Sequence, residues 1–470
     1  MNEFVPEPTS RQVWCMRLCR SLKSDDMRRR FWTLANAATL MPALDGERLA
    51  EAWRATLEAN PALRCTFTED GDAIIAQVLP LDHFPVKQID TEGWSADEVI
   101  ASVNATTADY APLDGPLAML THYRSSTSST LLALFHHGLI DGTAMTLLIR
   151  ELIGAYLLGR PPNARATGNF AEFAAWQRDF LAGPAGARQF DYWMGQLADL
   201  PPPLPLPYDR PDNHRFTDGR YLSCAVAPSV AEGVRVLARS LGVPPFRPLW
   251  AAFNISIAAM TGVDDAPIVC SVANRTNRRF RETIGWLANA VHLRCAIESG
   301  ERVRAYCARV SRMVDAAIDN QEYPRNLVDD ALEAQFPGIP TAIDQLGFSV
   351  NMPLWDDESG LNRLLAQPSG SWGGFSFEMM PLELRECTRD LTMTVLDVVA
   401  PDGEMTLSLY INYRADVFDQ ATAERLAALY ERALELVTSA DDPLVEDVVV
   451  VLRAEFVDLR GDAPGRRNVR

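Results

Sequence analysis

Leu131-Leu132-Ala133-Leu134-Phe135-His136-His137-Gly138-Leu139-Ile140-Asp141-Gly142 decides how the rest of this chain is read. Its first five residues are apolar and have the length of a buried strand. Beyond Gly142, apolar residues fall at Met145, Leu148, Ile149, Leu152, Ile153 and Tyr156, which is helical spacing. A strand therefore ends at the two histidines, and a tight turn hands the chain to a helix. A turn held by rigid elements is where catalytic groups tend to be placed.

The pattern HHxxxDG points to proton transfer. Histidine is the side chain best poised to exchange protons near neutral pH, and His137 could serve as general base for an incoming amine or hydroxyl. The plainer alternative is that both imidazoles only satisfy local hydrogen bonds. Two adjacent histidines followed by xxxDG at a strand–helix junction favour function. Asp141 could orient His137 or form a buried ion pair that holds the loop. The ion pair is favoured, because a buried charge must find a partner. Gly142 implies a backbone reason, either special dihedrals or close approach of a substrate. Its N–H lies at a helix start, where a developing oxyanion could be stabilised.

Working outward, 470 residues exceed one ordinary core and predict two domains or large subdomains. A hydrophobic content of 47% fits a soluble globular protein. No run approaches the length of a membrane span, and the N-terminus MNEFVPEPTSRQ lacks signal-peptide features. The expected location is the cytoplasm, with no membrane partner. The eight cysteines are scattered without a CxxC pair, so reduced buried thiols are expected and no metal site. The net charge of −18 argues against a nucleic-acid partner. One basic stretch runs from Arg11 to Arg30. It reads as a solvated helix face, or alternatively as a docking patch for an acidic protein or a phosphate-bearing arm.

Gly46 to Asn60 reads as an amphipathic helix stopped by Pro61. Cys65 to Phe67, a turn at 69–72 and Ala73 to Val78 read as a hairpin. Ala111 to Gly115 is a turn, and Leu117 to Tyr123 is a strand beside Leu131 to Phe135. Between about 160 and 215 the composition shifts. Prolines mark both ends, and one aromatic-rich helix lies between them, which predicts a stiff bridge between halves. Helices follow at 228–241, Trp250 to Met260 and near 301–319, with strands at Pro267 to Val272 and around 345–352, 391–399 and 404–413. A last helix is expected at about 420 to 438 and a disordered polar tail at 461–470. No internal repeat is visible. There is no GxSxG elbow, P-loop or Rossmann fingerprint, so covalent serine catalysis and nucleotide use have no support.

HHxxxDG resembles the condensation domains of nonribosomal peptide synthetases, within the wider group that includes chloramphenicol acetyltransferase and CoA-dependent plant acyltransferases. Further segments match that family in order. Pro8-Thr9-Ser10-Arg11-Gln12 looks like its Ser-x-x-Gln opening, and Asn60-Pro61-Ala62-Leu63-Arg64-Cys65-Thr66-Phe67 like its RHExLRTxF. Tyr192-Trp193 with Leu204-Pro205-Leu206-Pro207-Tyr208-Asp209-Arg210-Pro211 looks like its crossing segment. Ala273-Asn274-Arg275, Ile284-Gly285-Trp286-Leu287-Ala288-Asn289 and Leu293-Arg294 look like its R…vGxFvNxLxLR block. Arg389-Asp390-Leu391 resembles the late xDL strand, and Tyr413 with Asp416-Val417-Phe418-Asp419 resembles the closing YxxDLFD. The resemblance covers about residues 8–445. Trp286-Leu287-Ala288 and Asn60-Pro61 depart from the usual residues, which bears on substrate shape. Gly373-Gly374-Phe375-Ser376 has the GGxS of a carrier protein but sits among strand-like segments, and the match is read as chance.

The resemblance implies an α/β sandwich fold of two chloramphenicol acetyltransferase-like lobes in a V-shaped pseudo-dimer with mostly antiparallel sheets. The expected domains are an N-terminal lobe at 1–175, a crossing segment at 176–215 and a C-terminal lobe at 216–460. It implies that His137 is the catalytic histidine, with His136 packed behind it and Gly142 offering its N–H near the donor thioester. Asp141 would be structural, paired with Arg275 from the second lobe. Asn351 would be a polar group near the acceptor end. The implied activity is acyl transfer from a phosphopantetheinyl carrier-protein thioester to an amine or hydroxyl, forming an amide or ester in natural-product or antibiotic biosynthesis. The phosphopantetheine arm would be delivered by the carrier, with no tightly bound cofactor. Acyl or peptidyl carrier proteins would be the partners, a small-molecule acceptor is possible, and a free-standing, monomeric enzyme is expected. The alternatives are a CoA-dependent acyltransferase, disfavoured by the absence of Asp-Phe-Gly-Trp-Gly, an epimerase-type relative, disfavoured by Gly142-Thr143-Ala144, and a non-catalytic carrier-binding recruitment module.

Overall fold

The computed structural model describes residues 7–22, 32–110, 115–159, 167–211, 218–338, 343–351, 367–372, 374–380, 382, 387–399 and 405–461. The described residues form α/β layers in two compact units. One comprises Met1–Arg188, Ala273–Asn289 and Pro353–Arg385. The other comprises Gln189–Val272, Ala290–Met352 and Glu386–Arg470. The chain division therefore differs from a simple run of lobe, bridge and lobe. The first unit extends to Arg188, and two later stretches return to it.

The first unit is built on a six-stranded sheet. Its centre is β1 (Thr33–Met41), antiparallel to β6 (Ser129–His136), which is antiparallel to β5 (Ala118–Arg124). β4 (Lys87–Asp90) adds a parallel edge on β5, and the hairpin β11 (Ser369–Trp372) and β12 (Phe375–Met379) extends the other side from β1. Gly374 takes a left-handed φ of 86° immediately before β12, and Phe375 and Ser376 of the GGxS sequence lie in that strand, as its flanks indicate. One sheet face buries Ala37, Leu132 and Leu134 against α3 (Ala96–Asp109). α4 (Gly142–Leu158) follows β6 directly. It is N-capped by Asp141 and stopped by Gly159 at φ 58°. α2 (Gly46–Ala59) and the hairpin β2 (Cys65–Asp70) and β3 (Ala73–Val78) form as their patterns predict. Arg64, from the RHExLRTxF-like segment, is buried and donates to the Leu57 and Leu79 carbonyls, tying helix to hairpin.

The second unit also carries a six-stranded sheet, in the order β7 (Gly219–Ala225), β14 (Met405–Arg414), β13 (Leu391–Val399), β10 (Leu346–Asn351), β8 (Ile268–Val272) and β9 (Asn289–Leu293). Here β10 runs parallel to both β13 and β8, while β14 is antiparallel to β13 and β7, so this sheet is mixed; taking the two sheets together, antiparallel pairings predominate, as expected. Its core includes α7 (Pro228–Leu241), α8 (Phe246–Thr261), α9 (Val303–Asp319) and α11 (Gln420–Val437).

Other expectations need correction. The aromatic-rich stretch is two helices, α5 (Phe170–Ala182) and α6 (Pro184–Gln196). Pro184 has no N–H to continue the first, so the ladder breaks at Gly183. The helix ending at Val437 is not the last. α12 (Val445–Gly461) follows and buries Val445, Val448, Leu452 and Phe456 against α8 and α11. Its run of four valines reads as strand locally, and tertiary burial overrides that preference. α10 (Arg325–Gln335) is a further helix that the sequence pattern does not announce. The expected turn at 111–114 and the tail at 462–470 lie outside the described residues. Where the basic stretch is described, Arg17 is exposed and Arg11 and Arg20 are half-buried, so its basic side is partly solvated and also tied to neighbouring elements. α1 (Ser10–Ser21) buries Gln12, Cys15, Met16 and Cys19, Arg17 donates to the Asp72 carbonyl, and Arg20 donates to the Phe67 carbonyl and pairs with Glu69. Arg28, Arg29 and Arg30 fall outside the described residues.

Because α12 is core, Leu452→Ala is expected to destabilise the protein by about 2–5 kcal/mol. Urea unfolding followed by circular dichroism measures this; a change within about 0.5 kcal/mol would mark α12 as peripheral.

Candidate active site

β6 ends at His136 and α4 begins at Gly142, so five residues form the turn that presents His137. Three contacts fix it from other parts of the first unit. The His137 N–H donates to the Trp32 carbonyl at 2.6 Å, continuing the β1–β6 register past the strand end. The Gln12 amide donates to the Gly138 carbonyl at 2.7 Å. Gln12 also closes a capping box with Thr9 at the start of α1, so the Ser-x-x-Gln-like opening positions a helix end and the histidine turn together. Asp141 supplies the third contact.

Asp141 is 1% exposed. One oxygen caps α4 by accepting the Ala144 N–H at 2.7 Å. The other accepts the Leu287 and Ala288 N–H groups at 2.9 and 2.8 Å. Arg275 bridges both oxygens, at 3.0 Å to Oδ2 and 3.3 Å to Oδ1. The guanidinium also donates to the Ala273 and Thr283 carbonyls. The ion pair is thus the role Asp141 takes, with Arg275 as its partner. Arg275 does not come from a separate second lobe. Ala273–Asn289 clusters with the first unit, held further by Arg150 with Glu282 and by the Thr283 hydroxyl on the Gly168 carbonyl.

His136 is 2% exposed. Its Nδ1 accepts the Gly138 N–H at 3.0 Å, which leaves the proton on Nε2, 3.5 Å from the Cys19 sulfur. Cys19 in turn is pulled down to about 6, chiefly by a hydrogen bond from Cys15, with burial opposing and His136 assisting. Cys15, Cys19 and His136 are a group whose ligand atoms lie within 4.8 Å of one another, a cluster no sequence spacing announced. Its hydrogen bonding does not suit a metal. Gly138 occupies Nδ1, so Nε2 carries a proton where a ligand needs a lone pair. Gly138, rather than Gly142, is the glycine the packing requires: a Cβ there would lie 2.5 Å from the Met16 methyl and 3.0 Å from His136 Nδ1. Gly142 has open space around its Cβ position and no left-handed φ, which removes the special-dihedral reading.

His137 is half-buried, and two indoles flank its ring. Trp32 lies 4.9 Å and Trp286 4.7 Å away, centroid to centroid. Arg11 stacks on Trp286 with its guanidinium 4.9 Å from the ring centre, and it donates to the Asn289 side chain at 3.0 Å. Nδ1 is buried without a full hydrogen bond. Burial holds the imidazole pKa down, to about 4. Its own carbonyl and Asp141 work the other way, and the charges of Arg11 and His136 reinforce the depression. Trp32 takes a left-handed φ of 65°, uncommon for a bulky residue and located at the site. No pattern in the sequence pointed to Trp32, Gly138, Cys19 or the stacking role of Arg11. Trp286 was visible only as a departure from the family pattern. Asn351 ends β10 in the second unit, and its side chain lies outside the described residues.

A condensation-domain family model matches residues 21–459, and the chain belongs to that family. Among curated proteins it is 26% identical over 415 residues to a linear gramicidin synthase polypeptide of Brevibacillus parabrevis, covering 85% of this chain and 8% of that protein. It is 26% identical over 451 residues to chondramide synthase cmdD of Chondromyces crocatus, covering 91% of this chain and 11% of that protein. The chain thus spans about a tenth of the length of these relatives. Among solved structures, the X-domain from teicoplanin biosynthesis superposes with a TM-score of 0.77 at 19% identity, covering 95% of this chain and 98% of that one. The first condensation domain of the calcium-dependent antibiotic synthetase, in complex with a substrate analogue, gives 0.75 at 21% identity, covering 95% and 99%. The fold is that of the condensation domains of nonribosomal peptide synthetases. No described helix is long and apolar enough to cross a membrane.

Removing one partner of the Asp141–Arg275 pair leaves a buried charge alone. Asp141→Ala and Arg275→Ala are each expected to cost about 3–5 kcal/mol of stability, with the double variant losing far less than their sum. Denaturant titration of all three proteins checks this; additive losses would mean that the two groups do not act as a pair.

Proposed function

We propose that this chain is an acyltransferase that moves an acyl group from a carrier-protein phosphopantetheine thioester to an amine or hydroxyl acceptor. The observation that carries the reading is the state of His137: a neutral imidazole, on a turn locked at three points, one residue from the strand end and five before a helix N-terminus. The acceptor nitrogen or oxygen attacks the thioester carbon while His137 takes its proton. The tetrahedral intermediate collapses with cleavage of the C–S bond, and the proton passes to the departing sulfur, so the base is regenerated. The first N–H groups of α4 lack intrahelical acceptors and suit the developing oxyanion, with Gly142 leaving room for close approach.

The acceptor decides how much the base is worth. An amine with a pKa of about 8 is partly free at neutral pH, whereas a hydroxyl must lose its proton. For a hydroxyl acceptor, His137→Ala is expected to lower kcat/KM by about 10²–10⁴-fold, with a smaller loss for a matched amine. Intact-mass monitoring of acyl-carrier protein mixed with wild type and variant measures both. Unchanged turnover in the variant for every acceptor would remove the base role.

The pH dependence has a defined sign. His137 is a base only when neutral, and its pKa lies near 4 instead of 6.5. Hydroxyl-acceptor turnover is therefore expected to hold as pH falls through 6.5 and to drop only on approaching 4. A limb near 6.5 would show that the ring is solvated.

A second reading is recruitment without catalysis. The teicoplanin X-domain, which shares this fold at 19% identity and a TM-score of 0.75, is described in complex with OxyB. The His137→Ala comparison separates the two, because a recruiting surface does not need the imidazole.

A further inference from the structure

Arg11 is the second residue of α1, and its guanidinium is held on two sides. It lies over the Trp286 indole, 4.9 Å from the ring centre, and its Nη1 donates to the Asn289 Oδ1 at 3.0 Å. Trp286 and Asn289 are 2% and 3% exposed, so packing fixes both supports. The backbone ahead of the indole is fixed as well, because a Cβ on Gly285 would run into the Phe170 ring. Trp286 in turn lies 4.7 Å from the His137 ring, which sets guanidinium, indole and imidazole in succession. The neighbouring Gln12 ties the same helical turn to the Gly138 carbonyl. The first turn of α1 thus holds the histidine turn with one residue and the indole beside it with the residue before. Arg11 falls at a position that Ser-x-x-Gln leaves open, and Trp286 departs from the family pattern, so this layer belongs to the chain itself and not to the shared motifs.

The charges around the imidazole come from three elements. His136 and Asp141 share its turn, Arg275 of the 273–289 segment answers Asp141, and Arg11 acts on the ring from α1. Taking up a proton would set a second cation against the indole that already carries the guanidinium, and like charges resist that. Burial holds the ring below its ordinary range, and Arg11 works in the same direction, against Asp141. We propose that Arg11 is a positioning residue of the acyl transfer, clamping Trp286 against His137 so that the base keeps one orientation and stays shielded from water. The inference rests on the acyl-transfer reading. Arg11 acts through the indole and not on the substrate, so its loss falls on kcat and on the acid limb of the pH profile, and not on KM. Lysine in its place keeps the charge without the flat plane, and methionine removes both while keeping an unbranched chain.

The test has two arms, both on the whole chain. In the first, the ring signals of isotope-labelled histidines are followed by NMR through the acid range without substrate. His137→Ala assigns the resonance, and thermal melts report folding. Arg11→Met is expected to raise the titration of His137 from about 4 toward 6.5, by at least about half a unit, and Arg11→Lys by less. In the second, hydroxyl-acceptor turnover is followed by intact mass. Arg11→Met is expected to lower kcat about tenfold, to leave KM within about twofold of wild type, and to move the acid limb upward with the ring. Asn289→Ala, which removes only the lateral anchor of the guanidinium, serves should Arg11→Met not fold, with the same signs and smaller shifts. An unmoved titration in a folded variant would overturn the inference. So would a loss confined to KM, which would make Arg11 a substrate contact. The ring titration needs no turnover, so the two readings separate. A shifted titration beside a wild type that transfers no acyl group would refute the acyl-transfer reading and keep the clamp, and an unshifted one beside an active wild type would do the reverse.

Discussion

One carboxylate organises the first unit. Asp141 caps α4, accepts two backbone N–H groups from 287–288 and receives a forked guanidinium from Arg275, all while almost fully buried. A charge in that position is tolerable only because every lone pair is answered. Its partners are distant in sequence, so satisfying it forces Ala273–Asn289 to fold back onto the strand–helix turn. That return also delivers Trp286 to the face of His137. The placement of the imidazole and the wall beside it are thus consequences of solvating one anion with protein.

The proposed base is held differently from the carboxylate-oriented imidazoles of hydrolytic triads. Its Nδ1 makes no full hydrogen bond, and two indoles fix the ring plane. Packing carries the orientation, and desolvation keeps the ring neutral. His136 performs the hydrogen-bonding work instead, linking the Gly138 amide to the Cys19 sulfur and bracing the turn from beneath. On the acyl-transfer reading, the two adjacent histidines divide positioning and chemistry between them.

The remaining family-like motifs are mechanical. In the second unit Arg210 donates to the Asp416, Ala415 and Phe418 carbonyls and pairs with Asp419, and Asp209 accepts the Asp419 N–H. Arg414 pairs with Asp390, which also accepts the Tyr208 hydroxyl. The segments resembling LxLPxDRP, xDL and YxxDLFD thus clasp one another. They preserve a fold, so their match speaks to family membership and not to substrate.

The strand–turn–helix around HHxxxDG was legible because periodicity and turn chemistry are local. The amphipathic helix at Gly46–Ala59, the hairpin after it, and the ion-pair role of Asp141 followed from that order. Other features could not be read this way. Two six-stranded sheets lie in a chain without a visible repeat, and a valine-rich segment becomes α12 because α8 and α11 bury it. The return of 273–289 to the first unit, the indole pair on His137 and the guanidinium over Trp286 depend on which distant residues meet. The sequence alone determined the histidine turn and the family, since both are written in short contiguous patterns. Only the tertiary structure decided the surroundings of the imidazole, because desolvation belongs to the packed set of neighbours and to no single stretch of chain.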